Sequence, residues 1–204
     1  MNPVLRVLTF LAGLAAIAAG ILTLTKGAEQ IRGVDPLDPA AARAEAERAM
    51  AGLEAVAVQK TPLRMDCPRS WTKEPRDQGP MVFSVSTWKG VVNANVVMES
   101  LNAELTTRDY AEANRDALLP MLRDAGTPPE AQDLAAADFG GRDGQMLRVV
   151  YRVKEVPYSI ESSQFFLVDG RNGYTITFTS PQPIAAEFHR LFAAMVGSVK
   201  FAVK

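Results

Sequence analysis

The chain has 204 residues, with 22 Lys+Arg against 23 Asp+Glu and a formal net charge of −1. That length suits one globular domain plus an accessory segment, and a charge near zero gives no electrostatic reason to expect nucleic acid as a partner. A hydrophobic fraction of 48% argues against global disorder, and one Cys with one His leaves neither an intramolecular disulfide nor a His/Cys-based metal site.

From Val7 to Leu24 the chain carries no charge; Arg6 precedes the run and Lys26 follows it. As a helix, Val4 to Thr25 would extend about 33 Å at ~1.5 Å per residue, enough to span the hydrocarbon core. Residues 1–26 therefore read as an uncleaved transmembrane anchor. The alternative is a cleaved signal peptide with Ala16-Ile17-Ala18 as its small-x-small site. A very short tail ahead of such a run stays inside, so the rest is expected to be exported, although Lys26, Arg32, Arg43 and Arg48 weigh the other way. The Ala-rich, Arg-over-Lys composition points to a bacterial source. The expectation is a single-pass protein of the bacterial inner membrane with its C-terminal domain in the periplasm.

Residues 27–62 read as a connector. Asp38 is placed to cap a helix that has Pro39 at its first position, where a missing amide donor costs nothing. Ala42, Ala46, Met50, Leu53 and Ala57 recur at helical spacing within Ala40–Val58, and Gly52 weakens that helix. The stretch serves either as a helical stalk or as a helix resting on the domain.

From residue 63 to 204 the texture is that of short strands and turns. Met81, Phe83 and Val85 alternate with polar or outward positions, and Ala94–Ser100 reads as the partner strand. Thr106 and Asp109 form a capping-box-like pair at the start of a helix that Gly126-Thr127-Pro128-Pro129 ends. Leu147–Val153 and Tyr158–Val168 read as strands, the second with a bulge near Ser162-Ser163. Asp169-Gly170-Arg171-Asn172-Gly173 has hairpin chemistry, and Tyr174, Ile176 and Phe178 then face opposite to Thr175, Thr177 and Thr179. A last helix from Pro183 carries Ile184, Phe188, Leu191, Phe192, Met195 and Val196 on one face. Antiparallel strands with separate helices make the class α+β.

Pro68-x-x-Trp71, two strands, a capped helix, a long meander and a closing helix followed by Ser198-Val199-Lys200-Phe201 resemble the PsbP-like fold, in particular bacterial DcrB-like envelope proteins, over about Pro62–Val203. The resemblance implies an antiparallel β-sheet flanked by helices, in a module that binds or supports other proteins, and it does not imply catalysis. The sequence departs from DcrB-like lipoproteins in its cysteine: Cys67 lies far beyond the apolar segment, so lipid attachment is not expected.

Few side chains suggest chemistry. Two Ser-x-x-Lys strings, Ser70-Trp71-Thr72-Lys73 and Ser86-Thr87-Trp88-Lys89, match the nucleophile spacing of serine acyl-transferases, but the companion elements of that chemistry are missing. His189 reads as a boundary residue of the last helix and Cys67 as a small half-buried residue at a strand end. Asp133, Asp138 and Asp143 lack the alternate spacing of a calcium loop. Trp88 and Lys89, at an expected hairpin tip, are candidate partner contacts. Trp71 is a third, although it reads first as part of the fold. No catalytic residue, cofactor or metal is expected. The leading expectation is a non-enzymatic, membrane-anchored domain that binds or stabilises another envelope protein. The alternatives are a carrier of small apolar ligands and, behind it, a serine enzyme using Ser70 or Ser86.

Overall fold

The computed structural model describes residues 37–75, 81–87, 91–125, 128–153 and 156–201. The expected membrane anchor lies outside the described residues, as do Trp88 and Lys89. Among the described residues, no helix is long and apolar enough to cross a membrane.

The first element is helix α1 (Pro39–Ala51), capped as expected: Asp38 Oδ1 accepts from the Ala40 amide at 2.9 Å. The helix stops earlier than its apolar spacing suggested. The Gly52 amide bonds back to Ala49, and Leu53–Ala57 becomes strand β1, paired antiparallel with β2 (Leu63–Pro68). Leu53 and Ala57, expected on a helical stripe, are therefore strand residues. Of the two readings of this stretch, α1 follows the helix resting on the domain: Ala42, Ala46 and Ala49 are buried.

A large antiparallel sheet follows. Its strands are β3 (Thr72–Pro75), β4 (Met81–Thr87), β5 (Val92–Ser100), β6 (Glu130–Ala131), β7 (Ala135–Asp138), β8 (Asp143–Tyr151), β9 (Ile160–Asp169) and β10 (Asn172–Pro181). They lie in the order β3-β4-β5-β10-β9-β8-β6, with β7 also on β8. Strands β9 and β10 form the expected hairpin, with Gly170 at φ 59° in the tight turn. The pairing of β9 with β8 and β10 is regular through Ser162 and Ser163, so the expected bulge is not there. The alternation slips for another reason: β9 is buried on both faces, and polar residues occupy inward positions. A register shift does occur in β4, between Met81 and Phe83.

Helix α2 (Thr107–Ala125) covers one face of this sheet. The Thr106 hydroxyl and Asp109 carboxylate exchange hydrogen bonds with each other's amides at 3.1 and 3.2 Å, the capping box read from sequence. Helix α3 (Gln182–Gly197) covers the other face. Phe178 of β10 stacks on Phe192 of α3 with ring centroids 4.4 Å apart, and Phe188 stacks on Phe192 at 6.0 Å. The closing strand β11 (Lys200–Phe201) joins β2, making a second sheet of order β1-β2-β11. Leu63, Met65 and Cys67 of β2 are buried in the same core as α3. The architecture is α+β: helix α2, sheet, then α3 backed by α1 and the small sheet.

The turn before β8 tests this packing. Gly140 has φ 63°, and a Cβ there would lie 1.9 Å from the Val199 carbonyl oxygen, whereas a Cβ on Gly141, at φ 81°, would meet open space. Gly141→Ala is expected to cost only the backbone strain, about 1–2 kcal/mol. Gly140→Ala should cost distinctly more, because the obstacle is main chain that a rotamer change cannot relieve. Urea unfolding of the two variants side by side measures the difference.

Candidate functional site

Helix α1 can approach α3 closely because its facing residues are alanines. Between the two helices runs a groove of about 430 Å³. Its lining comes from Arg43, Ala46, Glu47, Met50 and Ala51 on α1 and from Ala186, Glu187, Arg190 and Leu191 on α3. The floor is apolar, with Ala46 and Leu191 buried. The rim carries charges of both signs. Across it, Arg43 grips Glu187 through two hydrogen bonds of 2.9 and 3.2 Å, which hold the Glu187 carboxyl below its usual range. An apolar floor inside a charged rim is how a protein contact is built.

The residues singled out from sequence are scattered. Trp71 is 2% exposed and part of the core, so it offers no surface to a partner. Ser70 is exposed, and Lys73 is engaged elsewhere. Lys73 Nζ donates to the carbonyls of Pro68, Arg69 and Trp71 at 3.0–3.3 Å and lies 3.1 Å from Glu54 Oε1. It fastens the turn between β2 and β3. Glu54, which Arg69 also contacts, is held below the usual carboxylate range by these hydrogen bonds.

Cys67 is fully buried, and desolvation pushes its thiol up to about 12, so it behaves as a small core residue. His189 sits at the boundary, as expected. Its Nε2 lies 2.6 Å from Glu161 Oε1, and Arg148 Nε reaches the same oxygen at 3.4 Å. Asp138 accepts from the Gly141 amide at 2.6 Å and so closes the loop before β8. Nothing in this distribution brings Cys67, His189 and Ser70 to one place. The groove residues went unnoticed in the sequence because only half of the signal was legible. The Ala42/Ala46 spacing was visible, but not the identity of the helix facing it.

A second polar constellation lies at the start of α2. The Tyr110 hydroxyl donates to Glu99 Oε2 at 2.7 Å and lies 3.1 Å from Thr175 Oγ1, and its ring sits edge-on to Phe166. Gly173 makes room for that ring, since a Cβ there would come within 2.7 Å of it. Burial pushes the Glu99 carboxyl up to about 7, against the pull of the Tyr110 hydrogen bond. Burial also raises the Tyr110 hydroxyl well above its usual value.

The arrangement of layers has counterparts among solved structures. The cyanobacterial PsbP protein CyanoP from Synechocystis matches with a TM-score of 0.57 at 13% identity, over 74% of this chain and 93% of that one. The Saccharomyces cerevisiae Ran-binding protein Mog1p matches at 0.55 and 7% identity, over 74% of this chain and 95% of that one. The fold is PsbP-like. No protein-family model and no curated protein matches the sequence, so the likeness is one of fold. The PsbP-like resemblance read from element order thus holds at the level of architecture.

The Glu99–Tyr110 pair generates a pH dependence. The folded state binds the Glu99 proton more tightly than the unfolded chain does, so the stability it contributes is complete below the ordinary value of 4.5. It is lost as pH rises through about 7. Glu99→Gln, which keeps the hydrogen bond without the charge, should flatten that decline. The check is a comparison of thermal midpoints of variant and parent between those two pH values.

Proposed function

We infer that this chain is a non-enzymatic binding domain, held at the bacterial inner membrane by its N-terminal apolar segment, that engages another envelope protein. The observation that carries this reading is the α1–α3 groove, whose apolar floor and charged rim suit a protein segment with an aliphatic anchor and flanking charges. Supporting it, the reactive side chains are committed to the scaffold: Lys73 to a turn, Cys67 to the core and His189 to Glu161. A PsbP-like neighbour, Mog1p, is itself named as a Ran-binding protein, a precedent for protein binding on this architecture. The refinement to DcrB-like envelope proteins and to the periplasm belongs to this proposal and rests on the sequence pattern and the apolar segment of residues 1–26.

Site-specific photo-crosslinking tests the reading. A photo-reactive residue replaces Ala186, exposed at the groove, or Asp116, exposed on α2 on the opposite side of the sheet. In intact cells, the full-length chain should give a discrete crosslinked product from position 186 and none from 116. Ala51→Arg should abolish that product while changing stability by no more than about 0.5 kcal/mol, as surface substitutions do. Equal products from both positions, or a product indifferent to Ala51→Arg, would remove the groove from the account.

A further inference from the structure

Strand β1 is the open edge of the small sheet, paired with β2 on one side and with no strand on the other. The Arg69 amide donates to the Gly52 carbonyl and the Val58 amide to the Leu63 carbonyl, each at 2.9 Å. Along an antiparallel ladder, residues that bond across alternate with residues that do not. Gly52, Glu54, Val56 and Val58 therefore turn their main chain towards β2, and Leu53, Ala55 and Ala57 turn theirs away. The outward amides and carbonyls have no hydrogen-bond partner among the described residues, and Ala55 and Ala57 are exposed.

Native proteins guard such edges with lysine, proline, bulges or very short strands. The other edges of this molecule follow that practice. Strand β3 carries Lys73 and Glu74, β6 and β11 are two residues long, and β7 ends in Asp138. Strand β1 is not guarded in this way. Its register with β2 is unbroken from Leu53 to Ala57. The residues with open main chain are aliphatic, and the charge of Glu54 is already engaged by Lys73 and Arg69.

The strand that fits this edge is a second β1. Two copies can meet antiparallel about a two-fold axis centred on Glu54, Ala55 or Val56 and keep most of the strand paired. Centring on Glu54 sets two carboxylates directly opposite, which is unfavourable. Centring on Val56 leaves the outward groups of Leu53 unpaired. Centring on Ala55 sets Leu53 against Ala57 of the second copy, Ala55 against its counterpart and Glu54 against Val56. Every outward amide and carbonyl of both copies is then paired. The two glutamates become diagonal neighbours, each already held by Lys73 and Arg69. Leu53 of the second copy comes to lie beside Ala57, at the mouth of a cleft of about 310 Å³ bounded by Ala55, Arg64, Asp66, Ser198 and Lys200. We propose that this chain self-associates through β1, two copies joining their small sheets edge to edge about a two-fold axis at Ala55. A strand of five residues buries far less than the ~1,200 Å² of a standard interface, so the association is weak and concentration-dependent. This surface is separate from the α1–α3 groove and does not depend on the function proposed for that groove.

Crosslinking between two differently tagged full-length copies, co-expressed and both carrying Ala55→Cys, tests the proposal. Intact cells are treated with a short permeant bis-maleimide; the native thiol, Cys67, is fully buried. A product carrying both tags is expected from position 55 and none from Asp116→Cys, exposed on α2. Adding Ala57→Pro removes an amide that faces away from β2, so the β1–β2 ladder is kept. It deletes that amide's bond in both copies, and the product should fall roughly tenfold. Ala57→Lys, which guards the exposed edge without altering the main chain, should lower it as well. Position 55 labelled but not crosslinked, equal product from 55 and 116, or a product indifferent to both Ala57 variants would overturn the proposal. A product joining the chain to a different protein would also overturn it, giving the edge to another protein's strand.

Discussion

The interaction on which the rest of the structure depends is the pairing of β10 with β5 on one side and β9 on the other. The two ladders run without a register break from Asn172 to Thr179 on the β5 side and to Pro181 on the β9 side. Because side chains alternate along a strand, one uninterrupted register forces every neighbour to choose a face. Ile176 and Phe178 go to the α3 side, where Phe192 stacks on Phe178. Thr175, Thr177 and Thr179 go to the α2 side, where Thr175 meets Tyr110. A slip of one residue would exchange the two sets, turning the aromatic face away from Phe192 and setting hydroxyls against α3.

The outer layers follow from that choice. Helix α3 is fixed by its apolar stripe, α1 rests on α3 through alanines and the Arg43–Glu187 pair, and β2 slides its buried residues against the same core. The groove between α1 and α3 therefore belongs to the apolar side of the molecule. The polar rows of Asn93, Asn95, Gln164 and Ser162 belong to the other side. The sheet separates the two.

Much of the architecture was legible where one local rule governed the outcome. The Thr106/Asp109 box, the Asp38 cap, the Asp169–Gly173 turn and the spacing of Ile184, Phe188, Leu191 and Phe192 each carry a signal within a few residues. What escaped was decided at longer range. Leu53 and Ala57 fit a helical stripe, but pairing with Pro68 and Arg64 draws them into β1. The pair Ser162-Ser163 looked like a bulge because a doubly buried strand has no polar face to display, so alternation ceases to report register. Thr177 and Thr179 were legible only as facing opposite to Ile176 and Phe178, and no local feature tells a hydroxyl facing water from a buried one. Trp71 could be read either way, and its burial decides for the core. The groove was invisible for the same reason, since it exists only where Ala46 and Leu191 meet.

Native-state hydrogen exchange of the full chain tests the central role of β10 most directly. The account predicts that amides from Tyr174 to Thr179 exchange only through global unfolding, while those of α1 and β1, held by one helix and one short strand, open earlier and at lower free energy. If the β10 amides exchanged as fast as those of α1, the central ladders would not be the constraint that organises the fold, and the division into two faces would need another cause.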